Sequence, residues 1–89
     1  MIVRIDKSFQ KDISKINDVK IKHAVAELIQ SIQQTENLFS IANLKKLTGY
    51  KDFYRIRLGN YRIGVEHTKN HEIILIRFLG RKEIYKKWP

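Results

Sequence analysis

Phe53-Tyr-Arg-Ile-Arg-Leu-Gly-Asn-Tyr-Arg-Ile-Gly-Val-Glu66 is the stretch that decides the fold. Two alternating runs flank Gly59-Asn60, and both of those residues tolerate positive φ, so the stretch reads as a β-hairpin closed by a two-residue turn. Such a turn sets the register. Leu58 falls opposite Tyr61, Arg57 opposite Arg62, Ile56 opposite Ile63 and Arg55 opposite Gly64. Tyr54, Ile56 and Leu58 then share one face with Tyr61, Ile63 and Val65, as a half-buried hairpin requires. Arg55, Arg57 and Arg62 occupy the other face.

Like charges directly opposite each other destabilise a sheet, so the Arg57/Arg62 pair asks for a compensating ligand. The next apolar run, Glu72–Leu79, supplies a third strand. If Thr68–His71 forms a four-residue loop, Arg62 faces Arg77 and Ile63 faces Ile76. Three neighbouring strands would then align Arg57, Arg62 and Arg77, with Gly64 leaving a gap beside Arg55. Guanidiniums in a row beside a gap suit a phosphate, because their fork matches its oxygens. A solvated basic face with splayed side chains is the plainer alternative.

Upstream, Ile2–Ile5 reads as a short strand. Asp6 or Ser8 caps a helix with Phe9, Ile13 and Ile16 at i, i+4 and i+7. Asn17-Asp18 interrupts and recaps, and a longer helix carries Ile21, Ala24 or Val25, Leu28 and Ile32 to an end near Gln33–Glu36. The two stripes form a helical hairpin over the apolar face of the sheet. Asn37–Tyr50 is irregular, a helical turn or extended connector with Ile41, Leu44 and Leu47 packed inward. Downstream, Gly80 breaks the pattern and Arg81–Pro89 reads as a short helix docking Ile84 and Trp88. The expected fold is α+β: an N-terminal strand and helical hairpin on a mainly antiparallel sheet, in the order β-α-α-β-β-β, with a short C-terminal helix, all one domain over residues 1–89.

The charge is segregated. Residues 1–44 hold six Lys/Arg against five Asp/Glu, while residues 45–89 hold twelve against four, so nearly all of the net charge of +9 belongs to the sheet and tail. A one-sided positive field suits a polyanion, nucleic acid above all. No apolar run is long enough for a membrane span, the start lacks a signal-peptide layout, and no membrane contact is expected; a cytoplasmic protein is. Absence of cysteine excludes disulfides and thiolate chemistry. The three histidines, His23, His67 and His71, are not read as a ligand set, and neither a metal nor another cofactor is expected.

Leu47-x-Gly49, Tyr54-Arg-Ile-Arg57, Leu58-Gly-Asn-Tyr-Arg62 and Arg81-Lys-Glu-Ile-Tyr85 together resemble the RelE/ParE superfamily of bacterial type II toxin–antitoxin toxins, over nearly the whole chain. On the RelE side the resemblance implies an endoribonuclease that enters the ribosomal A site and cuts mRNA. There the 2′-hydroxyl attacks the adjacent phosphorus without a metal, leaving a 2′,3′-cyclic phosphate. It also implies a cognate antitoxin, an amphipathic and partly disordered chain that folds over the basic face. Carried onto this sequence, the catalytic set is Arg55, Arg57, Arg62, Arg81 and Tyr85. Many relatives read Gly-His-Arg near the end of the last strand; here Gly80 directly precedes Arg81, which leaves a lysine/arginine/tyrosine type of site rather than an imidazole one. A ParE-like gyrase inhibitor and a non-catalytic RNA-binding module are the alternatives.

Cleavage by an internal hydroxyl needs in-line positioning, charge stabilisation on the phosphorane and a proton for the leaving oxygen. Arg62, flanked by Arg57 and Arg77, is placed to clamp the non-bridging oxygens. Arg81 approaches from the tail. Tyr85 stacks on a base, orients the 2′-hydroxyl, or simply packs beside Ile84 and Trp88. Arg55 stabilises an activated 2′-oxygen but is a poor general base. Arg77 serves as a substrate contact unless a salt bridge to Glu66 or Glu83 occupies it. Lys45, Lys46, Lys51, Lys82, Lys86 and Lys87 make diffuse phosphate contacts.

Overall fold

In the computed structural model, which describes all 89 residues, the chain runs β1 (Ile2–Ile5), α1 (Lys7–Ser14), α2 (Val19–Gln33), a 3-10 turn (Leu38–Ser40), β2 (Leu44–Lys46), β3 (Phe53–Leu58), β4 (Tyr61–His67), β5 (Glu72–Gly80) and α3 (Arg81–Lys87). Both N-terminal helices start where short acidic side chains can take orphan amides. The Asp6 carboxylate accepts from the Ser8 amide at 3.0 Å, and Asp18 accepts from Lys20 at 2.9 Å. The sheet order is β1-β5-β4-β3-β2, antiparallel except for the β1–β5 pair. A parallel pair needs a long crossover, and the helical hairpin is part of it.

The β3–β4 hairpin has the register expected from its turn, from Leu58 opposite Tyr61 to Arg55 opposite Gly64. Only Gly59 takes positive φ (58°), the pattern of a type II′ rather than a type I′ turn. Tyr54, Ile56, Ile63 and Val65 point into the main core with Phe9, Val25 and Ile32 of the helices.

Four expectations are corrected. First, the Asn37–Tyr50 connector contains a fifth strand: β2 pairs with β3, Leu44 opposite Ile56 and Lys45 opposite Arg55. Three residues are too few to show an alternation. Second, Arg62 faces Leu79 and not Arg77. Thr68–His71 connects the strands, but the Thr68 amide still donates to Glu72 O, so only residues 69–71 turn the chain, with His71 in the left-handed region (φ 64°). That moves the register by one. A bulge moves it again: Gly64 pairs with Arg77 but Val65 with Leu75, leaving Ile76 unpaired. Third, no gap lies over Gly64. A Cβ there would stand 2.5 Å from the Trp88 indole, so the missing side chain is where the tryptophan sits. Fourth, Ile84 and Trp88 do not join the main core. With Leu47, and packed by Phe53, Ile76 and Leu79, they make a second small core on the opposite face of the sheet. The Trp88 indole N–H donates to Tyr54 O at 3.1 Å, fixing the end of α3 against β3.

Candidate functional site

Because α1 and α2 cover one face and α3 only part of the other, the outward side chains of β3 and β4 are left open beside α3. A cleft of about 290 Å³ lies there, lined by Asn43, Leu44, Lys45, Arg55, Arg57, Arg62 and Tyr85. Each wall has a local cause. Alternation on β3 sends Arg55 and Arg57 away from Ile56, which is wholly buried. Arg62 stands opposite Arg57 across the hairpin. The missed strand β2 brings Lys45 opposite Arg55. One helical step after buried Ile84, Tyr85 is 64% exposed, so its packing against the core is excluded and it overhangs the cleft.

The polar contacts hold these groups without neutralising them. Arg57 Nη2 donates to Asn43 Oδ1 at 3.2 Å. Arg62 Nη1 donates to Gly59 O and Tyr61 O, both at 2.9 Å, which pins it to the turn. The Arg55 guanidinium carbon lies 4.6 Å from the Tyr85 ring centroid, a cation–π stack linking β3 to α3. The salt bridges of the chain involve Arg4, His23, Arg77 and Lys87, and none of Lys45, Arg55, Arg57 or Arg62 is among them. Four cations thus share a cleft that no carboxylate lines. Larger depressions are chemically worse for an anion. One of about 620 Å³ beside Arg77 is lined by Asp12 and Glu83, and one of about 460 Å³ is a shallow loop surface at Lys46–Lys51.

A model of the ParE toxin of type II toxin–antitoxin systems matches residues 3–85. Toxin RelE3 of Methanocaldococcus jannaschii is 38% identical over 90 residues, spanning the whole of both chains. The chain belongs to the RelE/ParE superfamily of type II toxins. The toxin of the RelB–RelE antitoxin–toxin complex from Methanococcus jannaschii superimposes on it with TM-score 0.79 at 36% identity, covering 97% of this chain and 99% of that one. The RelBE2 toxin–antitoxin complex of Mycobacterium tuberculosis shares the fold, with TM-score 0.72 at 23% identity over 90% of this chain and 96% of that one.

In this toxin two of the expected arginines lie elsewhere. Arg77 binds Asp12 of α1 through both ends of its fork, Nε to Oδ2 at 2.8 Å and Nη2 to Oδ1 at 3.1 Å. Those hydrogen bonds hold the guanidinium above its ordinary pKa, against the opposing effect of partial burial. Asp12 is buried and also accepts from the Phe78 amide at 2.9 Å, so the pair is part of the scaffold, with a partner that is neither Glu66 nor Glu83. Arg81 is exposed in the first turn of α3, its amide bonded to Asn60 O, and does not line the cleft. Of the lysines, only Lys45 lines it; Lys46 and Lys51 flank the loop depression, while Lys82 and Lys86 are solvated on α3. Asn43 is the residue that sequence reasoning missed. Its signal is an asparagine ahead of a strand, the residue type that accepts the left-handed conformation it adopts here (φ 62°). Of the three histidines not read as a ligand set, His67 and His71 are in ring contact.

Proposed function

We propose that this toxin is a RelE-branch endoribonuclease that cleaves mRNA in the ribosomal A site, and that its cleft binds the scissile phosphodiester. The observation that carries the reading is the cluster of Arg55, Arg57, Arg62 and Lys45 around an open cleft with Tyr85 on its rim and no acidic wall. Arg57 and Arg62 clamp the non-bridging oxygens and offset the charge that grows on the phosphorane. The 2′-oxygen attacks phosphorus as its proton leaves to solvent, and the P–O5′ bond breaks. The 5′-oxygen takes a proton from the Tyr85 hydroxyl, which recovers one from water. The products are a 2′,3′-cyclic phosphate and a 5′-hydroxyl. Arg55, stacked on Tyr85, holds that ring in place and balances phenolate character during transfer. Arginines cannot remove the 2′-proton, so alignment by the ribosome supplies much of the rate. A cognate antitoxin that covers this basic face, as RelB accompanies RelE in the structures that resemble the chain, keeps the toxin inert.

Primer extension on mRNA from cells expressing the toxin tests this. Cuts positioned within codons, lost with Arg62→Ala, are expected. The match to a ParE toxin model favours gyrase inhibition as the second reading; intact mRNA together with inhibited DNA supercoiling selects it and overturns the nuclease.

A further inference from the structure

The far end of β4 carries a second grouping of donor atoms. Nε2 of His67, the last residue of β4, lies 3.0 Å from Nδ1 of His71, and the rings meet edge to face with centroids 5.0 Å apart. The left-handed conformation of His71 (φ 64°) turns its ring back toward the strand it has just left. On its other side, His71 Nε2 lies 3.1 Å from the carbonyl oxygen of Glu36, in the connector after α2. A carbonyl oxygen only accepts, so Nε2 carries the hydrogen and the neutral ring keeps a lone pair on Nδ1. That lone pair faces His67. A ring N–H anchored on a backbone carbonyl is also the way metal-ligating histidines are oriented.

We propose that His67 and His71 chelate one late first-row divalent cation, Cu²⁺ or Ni²⁺, where the β4–β5 loop meets the connector after α2. Two imidazole nitrogens 3.0 Å apart, each about 2.0–2.1 Å from an ion, subtend about 95° at it. That is close to the cis angle of a tetragonal centre, which Cu²⁺ and Ni²⁺ prefer, and well short of the roughly 109° of tetrahedral zinc. No third histidine or carboxylate completes a cluster, so water fills the remaining positions. The ion sits about 1.4 Å to one side of the line between the two nitrogens, so both rings turn to aim their lone pairs at it. His67 loses its Nε2 proton to water and takes one from water on Nδ1, and so stays neutral. Gly64, the β4 residue opposite Arg55 of the cleft, is three steps from His67, about 10 Å, and neither histidine lines the cleft, so the metal site stands or falls independently of the nuclease.

The test uses the purified full-length chain and the metal alone. Calorimetric titration with CuCl₂ or NiCl₂ is expected to show one ion per chain, Cu²⁺ tighter than Zn²⁺, with a matching rise in Tm. His67→Gln and His71→Asn, the latter chosen because asparagine accepts the same backbone conformation, are each expected to weaken binding about tenfold or more. In the unaltered chain, Ni²⁺ should broaden the ring resonances of His67 and His71 before those of His23. Absence of saturable binding up to about millimolar ion overturns the proposal. So does full binding in either variant, or broadening that begins at His23.

Discussion

Gly64→Ala is the change whose outcome most directly tests how α3 is held. Gly64 has ordinary backbone angles, so alanine in the strand should by itself help by about 0.5–1 kcal/mol through lost chain entropy. The structure predicts the opposite sign. The new methyl would stand 2.5 Å from one indole carbon of Trp88 and 2.7 Å from two more, so the ring must retreat by about 1 Å to reach ordinary contact. A retreat of that size takes the indole N–H, now 3.1 Å from Tyr54 O, beyond hydrogen-bonding distance. Overpacking costs about 1–3 kcal/mol and an abandoned buried donor about 1–3 more. After the entropy gain, a net loss of about 1–5 kcal/mol remains, which for a domain of this size lowers Tm by about 5–40 °C. The assay is thermal unfolding by circular dichroism, with hydrogen exchange to locate the loosened segment. Exchange should speed up first in α3. Trp88→Leu should partly rescue Gly64→Ala, with a coupling of about 1 kcal/mol or more between the two sites. A Gly64→Ala chain that melts at or above the wild-type temperature, with α3 amides still protected, would refute the reasoning.

Arg62→Ala is expected to cost no more than about 1 kcal/mol of stability, the worth of its bonds to turn carbonyls, while cutting mRNA cleavage about 100-fold or more; growth arrest and a urea melt on the same variant check both halves. Tyr85→Phe keeps the ring under Arg55 and removes the hydroxyl, so it should lower turnover more than substrate affinity, whereas Tyr85→Leu should impair both, as single-turnover kinetics on programmed ribosomes would show. Asp12→Ala leaves the Phe78 amide and the Arg77 fork unpaired and should destabilise by about 2–4 kcal/mol, measured by urea unfolding; Arg77→Met should cost less, since it leaves Asp12 its backbone partner. The Arg77 guanidinium has a raised folded-state pKa, so the stability it adds is complete below the unfolded value and is lost only as pH rises through the folded one. That window lies in strong alkali, and the Asp12→Ala difference attributable to Arg77 ionisation should stay flat in melts from pH 6 to pH 9.

Much of the fold is legible because local rules agree with it. The Gly59-Asn60 turn sets a register that strict alternation on both sides confirms, and Asp6 and Asp18 announce their helices. What the sequence hides is non-local. Nothing before Leu44–Lys46 tells that three residues will pair with β3, and Ile76 looks like any other apolar residue of its run until the bulge singles it out. The site divides the same way. Arg55, Arg57 and Arg62 are legible from hairpin parity, and Tyr85 from its place beside Ile84. Arg77 was misplaced because two register steps intervene between it and Arg62, and its partner Asp12 lies 65 residues away. The gap inferred at Gly64 was a real absence of side chain, but the room it leaves is taken by Trp88, a residue 24 positions further on.

Asp12 has one more consequence. Strand β1 ends at Ile5, opposite Leu75, so the remainder of β5 has no neighbour on that side. The carboxylate that accepts the Phe78 amide closes this seam with a charged group from α1. Sheet margins left unsatisfied tend to recruit strands from other molecules. Loss of this one side chain should therefore show itself in concentrated solution as self-association along β5, visible by light scattering at temperatures where the chain is still folded.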